Sequence, residues 1–217
     1  MKKIITAALL GLSLNSFADS SPLWLRFCSI SPDGQTIAFS YKGDIFSVPV
    51  NGGTAKQLTT NPAYDAYPVW SPDGQKIAFA STREGSMDIY LMDKNGGVPK
   101  RLTTNSGSEI PMAFTDNDHI LFSSAIMPTA KSIFFASGTF PQTYEVDVNA
   151  SRPRLYSPMT MCDANVRSNG DILYHDVKGY EDNFRKHHRS PVTRDIWLYS
   201  KGNYTKLTDF NGEDRTP

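Results

Sequence analysis

The chain has 217 residues, in which 22 lysines and arginines balance 22 aspartates and glutamates, and only two of the residues are cysteines. That balance leaves no basic footprint for a nucleic-acid backbone, and the length allows one or two ordinary domains. The first element in chain order is a leader. Met1-Lys2-Lys3 opens a positive start, Ile4 to Leu14 form an apolar run, and Ser16 and Ala18 supply small residues before Asp19. This is the pattern of a secretory signal peptide over residues 1–18, with cleavage expected after Ala18. A spanning helix needs roughly 20 apolar residues, and no later segment reaches that length, so the reading is an exported, soluble, periplasmic or extracellular product. Loss of Lys2 and Lys3 with the leader makes that product two charges negative.

The mature chain then repeats itself. Ser31-Pro32-Asp33-Gly34-Gln35-Thr36-Ile37-Ala38-Phe39 lies over Ser71-Pro72-Asp73-Gly74-Gln75-Lys76-Ile77-Ala78-Phe79, and Asp44-Ile45-Phe46 answers Asp88-Ile89-Tyr90. Asn51-Gly52-Gly53 answers Asn95-Gly96-Gly97, and Lys56-Gln57-Leu58-Thr59 answers Lys100-Arg101-Leu102-Thr103. A third unit is decayed: Phe114-Thr115-Asp116-Asn117-Asp118 stands at the turn, before Ile120-Leu121-Phe122 and Tyr144-Glu145-Val146. In the fourth, Ser168-Asn169-Gly170-Asp171 precedes Ile172-Leu173-Tyr174, then Asp195-Ile196-Trp197 and Thr205-Lys206-Leu207-Thr208. Asp214-Arg215-Thr216-Pro217 lines up with Asp65-Ala66-Tyr67-Pro68 as the lead-in to another unit.

Runs of four to six residues rich in Ile, Val, Phe, Tyr and Thr, set off by Gly, Pro, Asn and Asp, read as four short antiparallel strands per unit. In Pro-Asp-Gly, proline presets φ, the aspartate bonds nearby backbone and glycine takes the positive φ. Ile37 and Phe39 point to one face, Ala38 and Ser40 to the other. One such sheet cannot bury both faces, so copies must stack, and radial stacking is the usual solution at this period. The fold class is therefore all-β: a β-propeller of four-stranded antiparallel blades, with about four blades present at 22–61, 62–105, 106–157 and 158–211. A fifth begins at 212–217.

Candidate chemistry is sparse. No nucleophile elbow, metal-binding helix, phosphate loop or Cys-x-x-Cys pair occurs, so no catalytic, cofactor or metal residue is assigned. Asp33 and Asp73 have the chemistry for calcium, but turn capping accounts for their spacing. The adjacent His187 and His188 point apart and suit a solvated loop better than a chelate. Cys28 and Cys162 each sit beside a strand-like apolar run and read as two buried unpaired thiols, although an oxidising compartment permits a disulfide. The connection between second and third strands lengthens to about twenty residues after Ser123 and after His175, and these two loops share a face of the disc. The first carries Ile126, Met127, Ile133, Phe134, Phe135 and Phe140, which we read as packing over a blade edge or a second domain. The second carries Tyr180, Phe184 and Arg185-Lys186-His187-His188-Arg189. Arg185, His187, His188 and Arg189 are the candidate peptide-contact residues, through charge-assisted bonds to peptide carboxylates.

The Ser-Pro-Asp-Gly-x-x-Ile-Ala-Phe…Asp-Ile-Tyr…Gly-Gly…Leu-Thr unit resembles the PD40 or WD40-like propeller repeat of tricorn proteases, TolB and prolyl-oligopeptidase-like enzymes. The opening Pro22-Leu23-Trp24-Leu25-Arg26-Phe27-Cys28, with Tyr41-Lys42-Gly43-Asp44, resembles bacterial tricorn protease homologues more narrowly. Those proteins often carry Tyr-Pro where Phe27-Cys28 stand. The run from Arg185 to Trp197 is similar to that family's fourth blade. The resemblance covers the whole mature segment and implies the first two-thirds of a six-bladed ring. It further implies a parent with a second propeller, a PDZ module and an S41-class serine peptidase domain, acting on peptides or unfolded proteins. No residue of this chain inherits a catalytic role. The rival expectations are a TolB-like interaction propeller without enzymatic activity and a prolyl-oligopeptidase-like enzyme continuing into an α/β-hydrolase domain. The faces left open by a partial ring also accommodate a homo-oligomer.

Overall fold

A computed structural model describes residues 24–126, 141–149, 152–179, 192–210 and 212–217. Every regular element among them is a strand, and the strands form four sheets. Blade 1 holds β1 (Arg26–Ile30), β2 (Thr36–Tyr41), β3 (Asp44–Pro49) and β4 (Lys56–Gln57). Blade 2 holds β5 (Asp65–Trp70), β6 (Lys76–Glu84), β7 (Ser86–Asp93) and β8 (Lys100–Arg101). Blade 3 holds β9 (Glu109–Phe114), β10 (His119–Ser124), β11 (Gln142–Asp147) and β12 (Arg154–Ser157). Blade 4 holds β13 (Cys162–Val166), β14 (Ile172–His175), β15 (Ile196–Ser200) and β16 (Asn203–Lys206). Each sheet runs in sequence order with antiparallel neighbours, which is the four-stranded propeller blade expected from the repeat.

The repeated residues have local reasons. In the first turn, Ser31 Oγ donates to Asp33 Oδ1 at 2.5 Å and the Gln35 N–H donates to the same oxygen at 3.0 Å. The Ser71–Gln75 turn repeats this at 2.6 and 3.0 Å, and Gly34 and Gly74 take φ of 69° and 66°. Blade 3 lacks the glycine. There Asp116 Oδ1 instead accepts from the N–H groups of Asp118 and His119 at 2.8 and 2.9 Å, so a side-chain cap makes the turn. The Leu-Thr motif finishes the very short fourth strand. The N–H groups of Leu58, Leu102 and Leu207 donate to the carbonyls of Ile45, Ile89 and Ile196, each at 2.8 Å. The following threonine hydroxyls, Thr59, Thr103 and Thr208, accept from the N–H of the same isoleucines at 2.9, 2.9 and 3.0 Å. A side chain thus replaces the backbone acceptor that a longer strand would provide.

Blades pack large face on small face. Ala38, Ile45 and Leu58 of blade 1 meet Ile77, Phe79, Tyr90 and Met92 of blade 2. Ala78, Ile89 and Leu102 of blade 2 meet Ile120, Phe122, Tyr144 and Val146 of blade 3. The alternation in Ile-Ala-Phe is what makes one face bulky and the other thin, so adjacent sheets interdigitate. Burying Phe79 completely stabilises the seam by about 2–3 kcal/mol. Polar ties add direction: Lys56 Nζ donates to the Asn95 carbonyl at 2.9 Å, and Lys100 Nζ to the Val148 carbonyl at 2.8 Å. In each case the fourth-strand lysine of one blade holds the strand 3–4 turn of the next.

First strands carry a kink that sequence periodicity does not anticipate. Register jumps between Arg26 and Ser29, between Ala66 and Val69, and between Cys162 and Asn165. Inside these bulges Phe27, Tyr67 and Asp163 take φ of 52°, 57° and 49°. A left-handed non-glycine residue costs about 1–2 kcal/mol, so the packing of blades around it must hold the strand there. In β9 the position matching Phe27 and Tyr67 is Pro111, whose ring holds φ near −65°, and the jump lies between Pro111 and Ala113, with Met112 as the extra residue opposite Leu121 and Phe122.

Candidate functional site

The four first strands pack side by side, β1 on β5, β5 on β9 and β9 on β13, at the inner edge of the four sheets. Together they line an open cleft of about 590 Å3, with Phe27, Tyr67, Met112, Asp163 and Thr216 on its wall. The bulges matter here because each turns a side chain inward that a regular strand would place elsewhere. The rings of Phe27 and Tyr67 lie 3.9 Å apart between centroids. Burial raises the Tyr67 phenol above its ordinary value, so it remains a neutral donor across the physiological range. On the turn side of the same strands, a second cleft of about 690 Å3 includes Ile30, Trp70, Phe114 and Asn165.

The cysteines differ from the sequence reading. Both are unpaired, but Cys28 is exposed and Cys162 is only partly buried, and both border the inner cleft. The bulge at Phe27 explains the correction, since it rotates Cys28 away from the apolar side of β1. Burial raises the Cys162 thiol, which keeps it protonated near neutral pH. Its register partner is His175. That histidine is buried and its pKa is lowered first by burial, so its ring is neutral at pH 7. His175 Nδ1 is 3.6 Å from Asp163 Oδ2, and Arg194 lies 3.3 Å from Nε2. A protonated thiol beside a neutral imidazole holds no thiolate–imidazolium pair, which is the activated form of a cysteine nucleophile.

Asp214–Pro217 reproduces the lead-in of blade 2. The Asp214 N–H donates to the Arg194 carbonyl at 3.0 Å, as that of Asp65 donates to Gly43 at 2.7 Å. Thr216, with φ of 54°, takes the place of Tyr67, and its hydroxyl donates to Asp163 Oδ2 at 3.1 Å.

The candidate peptide-contact residues Arg185, His187, His188 and Arg189 lie outside the described residues, as do Met127 to Phe140 of the first long loop. The bases of both loops are described. Ile126 packs against the core between blades 2 and 3, and its carbonyl accepts from the Tyr144 hydroxyl at 2.6 Å. Below the second loop, Lys178 pairs with Asp195 and donates to the Thr193 carbonyl at 2.6 Å. Asp176 Oδ2 accepts from the Trp197 indole at 3.0 Å. Asp33 and Asp73 spend an oxygen each on their turns, and the first cause of their lowered pKa is the serine hydroxyl in that turn. Among the described residues no group of three or more His, Cys, Asp or Glu is placed to hold a metal ion. None of these residues forms a helix long and apolar enough to cross a membrane.

Comparison with known proteins follows the same lines. Tricorn protease homolog 1 from Streptomyces coelicolor is 36% identical over 72 residues, which is 33% of this chain and 7% of that protein. A TolB-like protein from Agrobacterium tumefaciens superposes with a TM-score of 0.62 at 28% identity, over 84% of this chain and 64% of that one. The tricorn protease superposes with a TM-score of 0.67 at 19% identity, over 89% of this chain and 19% of that one, which speaks for the fold. The chain therefore spans only part of each relative. The profile of the tricorn protease N-terminal beta propeller domain matches residues 22–217, and the chain belongs to that family.

Proposed function

We propose that this chain is the amino-terminal propeller segment of an exported tricorn-like serine peptidase, in which the blades are a scaffold and a gate for peptides bound for a separate peptidase domain. The observation that carries the reading is the family match over residues 22–217, on a structure whose inner strands border an open cleft. On this reading the ring continues to six blades, and Asp214–Pro217 opens the fifth. The leader over residues 1–18 directs export, with processing after Ala18.

Reading the coding sequence past Pro217 tests the context. Further blades followed by a PDZ module and an S41-type serine domain are expected. The gate is tested in that parent by the double change Phe27→Ala with Tyr67→Ala, which is expected to speed cleavage of long peptides and leave tripeptide turnover unaltered. Equal effects on both substrates, or none, would count against gating. Amino-terminal sequencing of the secreted protein checks the leader, with Asp19 as the expected first residue.

A second reading rests on the similarity to the TolB-like protein across 84% of the chain. It makes the segment a periplasmic protein-interaction propeller without enzymatic activity, and a stop codon at a completed ring would favour it.

A further inference from the structure

Blade 1 departs from blade 2 at one end in a way that leaves charge unmatched. In blade 2 the β6–β7 hairpin is long, and Arg83 lies 5.4 Å from the Phe79 ring and 5.2 Å from the Tyr90 ring. Its guanidinium then reaches the buried carboxylate of Asp65 at 2.7 Å. In blade 1 the corresponding hairpin is only Lys42 and Gly43, with φ of 52° and 91°, so it stops short. The position of Asp65 is taken by Leu25, as the ten-residue alignment ending at Ser31 and Ser71 requires. The cation–aromatic part of the arrangement survives: Lys42 Nζ is 5.3 Å from the Tyr41 ring, and Arg26 is 5.3 Å from the Trp24 ring. Among the described residues, neither cation has a carboxylate partner.

The short hairpin also opens a groove of about 630 Å3 bordered by Trp24, Arg26, Tyr41, Lys42, Asn61 and Tyr64. Trp24 is 75% exposed and Tyr64 40%, so two flat aromatic faces are presented to solvent beside two unneutralised cations. Asp44, also on the lining, accepts from Gln57 Nε2 at 2.9 Å and from the Thr59 hydroxyl at 3.2 Å, neutral donors that leave its charge in place, so the two cations outweigh it by one. Asn61 spends its side-chain oxygen on the Ala63 N–H at 2.9 Å, and its amide N–H groups remain to donate to a carbonyl. The groove lies at the same end of the blades as the long connections after Ser123 and His175, because strand 2–3 hairpins all emerge there.

We infer that this groove binds an acidic, extended peptide segment. One carboxylate of the segment replaces the missing Asp65 counterpart between Arg26 and Lys42, while a proline or aromatic ring stacks on Trp24 and Tyr64. Unpaired cations select an anion. The Asn61 amide beside the aromatic faces offers a donor to a backbone carbonyl, and the choice of a peptide over a polyuronate comes from the match to a peptidase family's propeller. The inference deepens the peptide-gating reading and rests on it for the class of ligand.

The test is fluorescence anisotropy of the full chain with fluorescein-labelled Ala-Glu-Pro-Glu-Phe, its glutamine counterpart Ala-Gln-Pro-Gln-Phe, and a labelled oligogalacturonate. Lys42→Asn keeps a residue that accepts positive φ, and Arg26→Gln removes the charge while keeping an unbranched polar side chain. Binding of the acidic peptide is expected, weakened about tenfold by the two substitutions together and about tenfold by the glutamine peptide. Trp24→Ala should weaken it independently, with the unfolding midpoint unchanged in each variant. No binding, or binding indifferent to Arg26 and Lys42, overturns the site. Oligogalacturonate binding as tight as the peptide, with the same sensitivity to the variants, overturns the peptide assignment. Absence of binding in a parent that does carry a peptidase domain sinks the groove alone. Binding in a chain that stops at its ring sinks the peptidase reading instead.

Discussion

Blades 1 and 2 are built from nearly the same sentence of sequence, yet they are not equally buried. Ile77 and Phe79 of blade 2 are fully enclosed, whereas Ile37, in the place of Ile77, is half-buried. Trp70 is half-buried and donates its indole N–H to the Ser29 carbonyl of blade 1 at 3.1 Å, while its counterpart Ile30 is 57% exposed. Gly96 is pressed so closely onto blade 1 that an added Cβ would sit 2.9 Å from the Leu58 carbonyl oxygen, but Gly52 meets nothing within 4 Å. Identical residues therefore carry different energies according to whether a blade lies against the bulky face. Blade 2 has one there and, among the described residues, blade 1 does not.

The comparison can be broken by matched substitutions. Ile77→Ala is expected to destabilise by about 2–5 kcal/mol, and Ile37→Ala by less than half as much. Urea unfolding of the two variants side by side decides it, and equal losses would mean the blades are equivalent after all. Next in size is the contrast between seams. Asp65, at the seam of blades 1 and 2, pairs with Arg83, whereas its counterpart Glu109 is fully buried and faces Asp88, whose own partner is Arg101. Burial, with the Asp88 charge adding to it, pushes Glu109 up from 4.5 to about 7, although the neighbouring Thr103 and Asn105 oppose the rise. The folded state thus prefers the protonated acid. Its stabilisation is complete below about 4.5 and is lost as pH rises through about 7, a change on the order of 3 kcal/mol. Glu109→Gln should flatten that slope between about pH 4.5 and 7. A slope unchanged by the substitution would place the titrating group elsewhere.

Smaller effects sharpen the same contrast. Gly52→Ala and Gly96→Ala both force a residue with a Cβ into positive φ, at about 1–2 kcal/mol, and Gly96→Ala must in addition move the Leu58 backbone. Thermal unfolding should therefore rank Gly96→Ala as the more damaging, and the reverse order would deny the close approach. Lys100→Met removes a tie to the Val148 carbonyl and is expected to cost about 1 kcal/mol or less, detectable as faster amide exchange in the turn of blade 3.

The turns and the strand count were legible because their causes are local. Ser31, Asp33 and Gly34 complete a turn among themselves, and the third unit keeps its turn after losing glycine because Asp116 caps it. The Leu-Thr pair was visible as a repeat, but its purpose was not, since Thr59 answers an N–H fourteen residues away in sequence. The inner bulges were invisible for a different reason. Phe27 and Tyr67 are aromatic residues that disfavour left-handed backbone, and Asp163, which tolerates it, sits in an otherwise ordinary strand pattern, so no signal shared by the three announces it. Cys28 was misread as buried for the same cause. The aromatic–basic groove escaped notice because it depends on what Leu25 fails to supply, and that appears only when two blades are compared in space.

Sequence by itself determined the all-β class, the four-stranded unit, the positions of the tight turns and the bulky and thin faces of each sheet, because these follow from short-range backbone preference and strict alternation. Tertiary structure decided which copies of a residue are buried, which first-strand side chains face the inner cleft, and which cations are left without a carboxylate. Those outcomes depend on the neighbour that each blade meets, and a repeated sequence writes the same residues whether or not that neighbour is there.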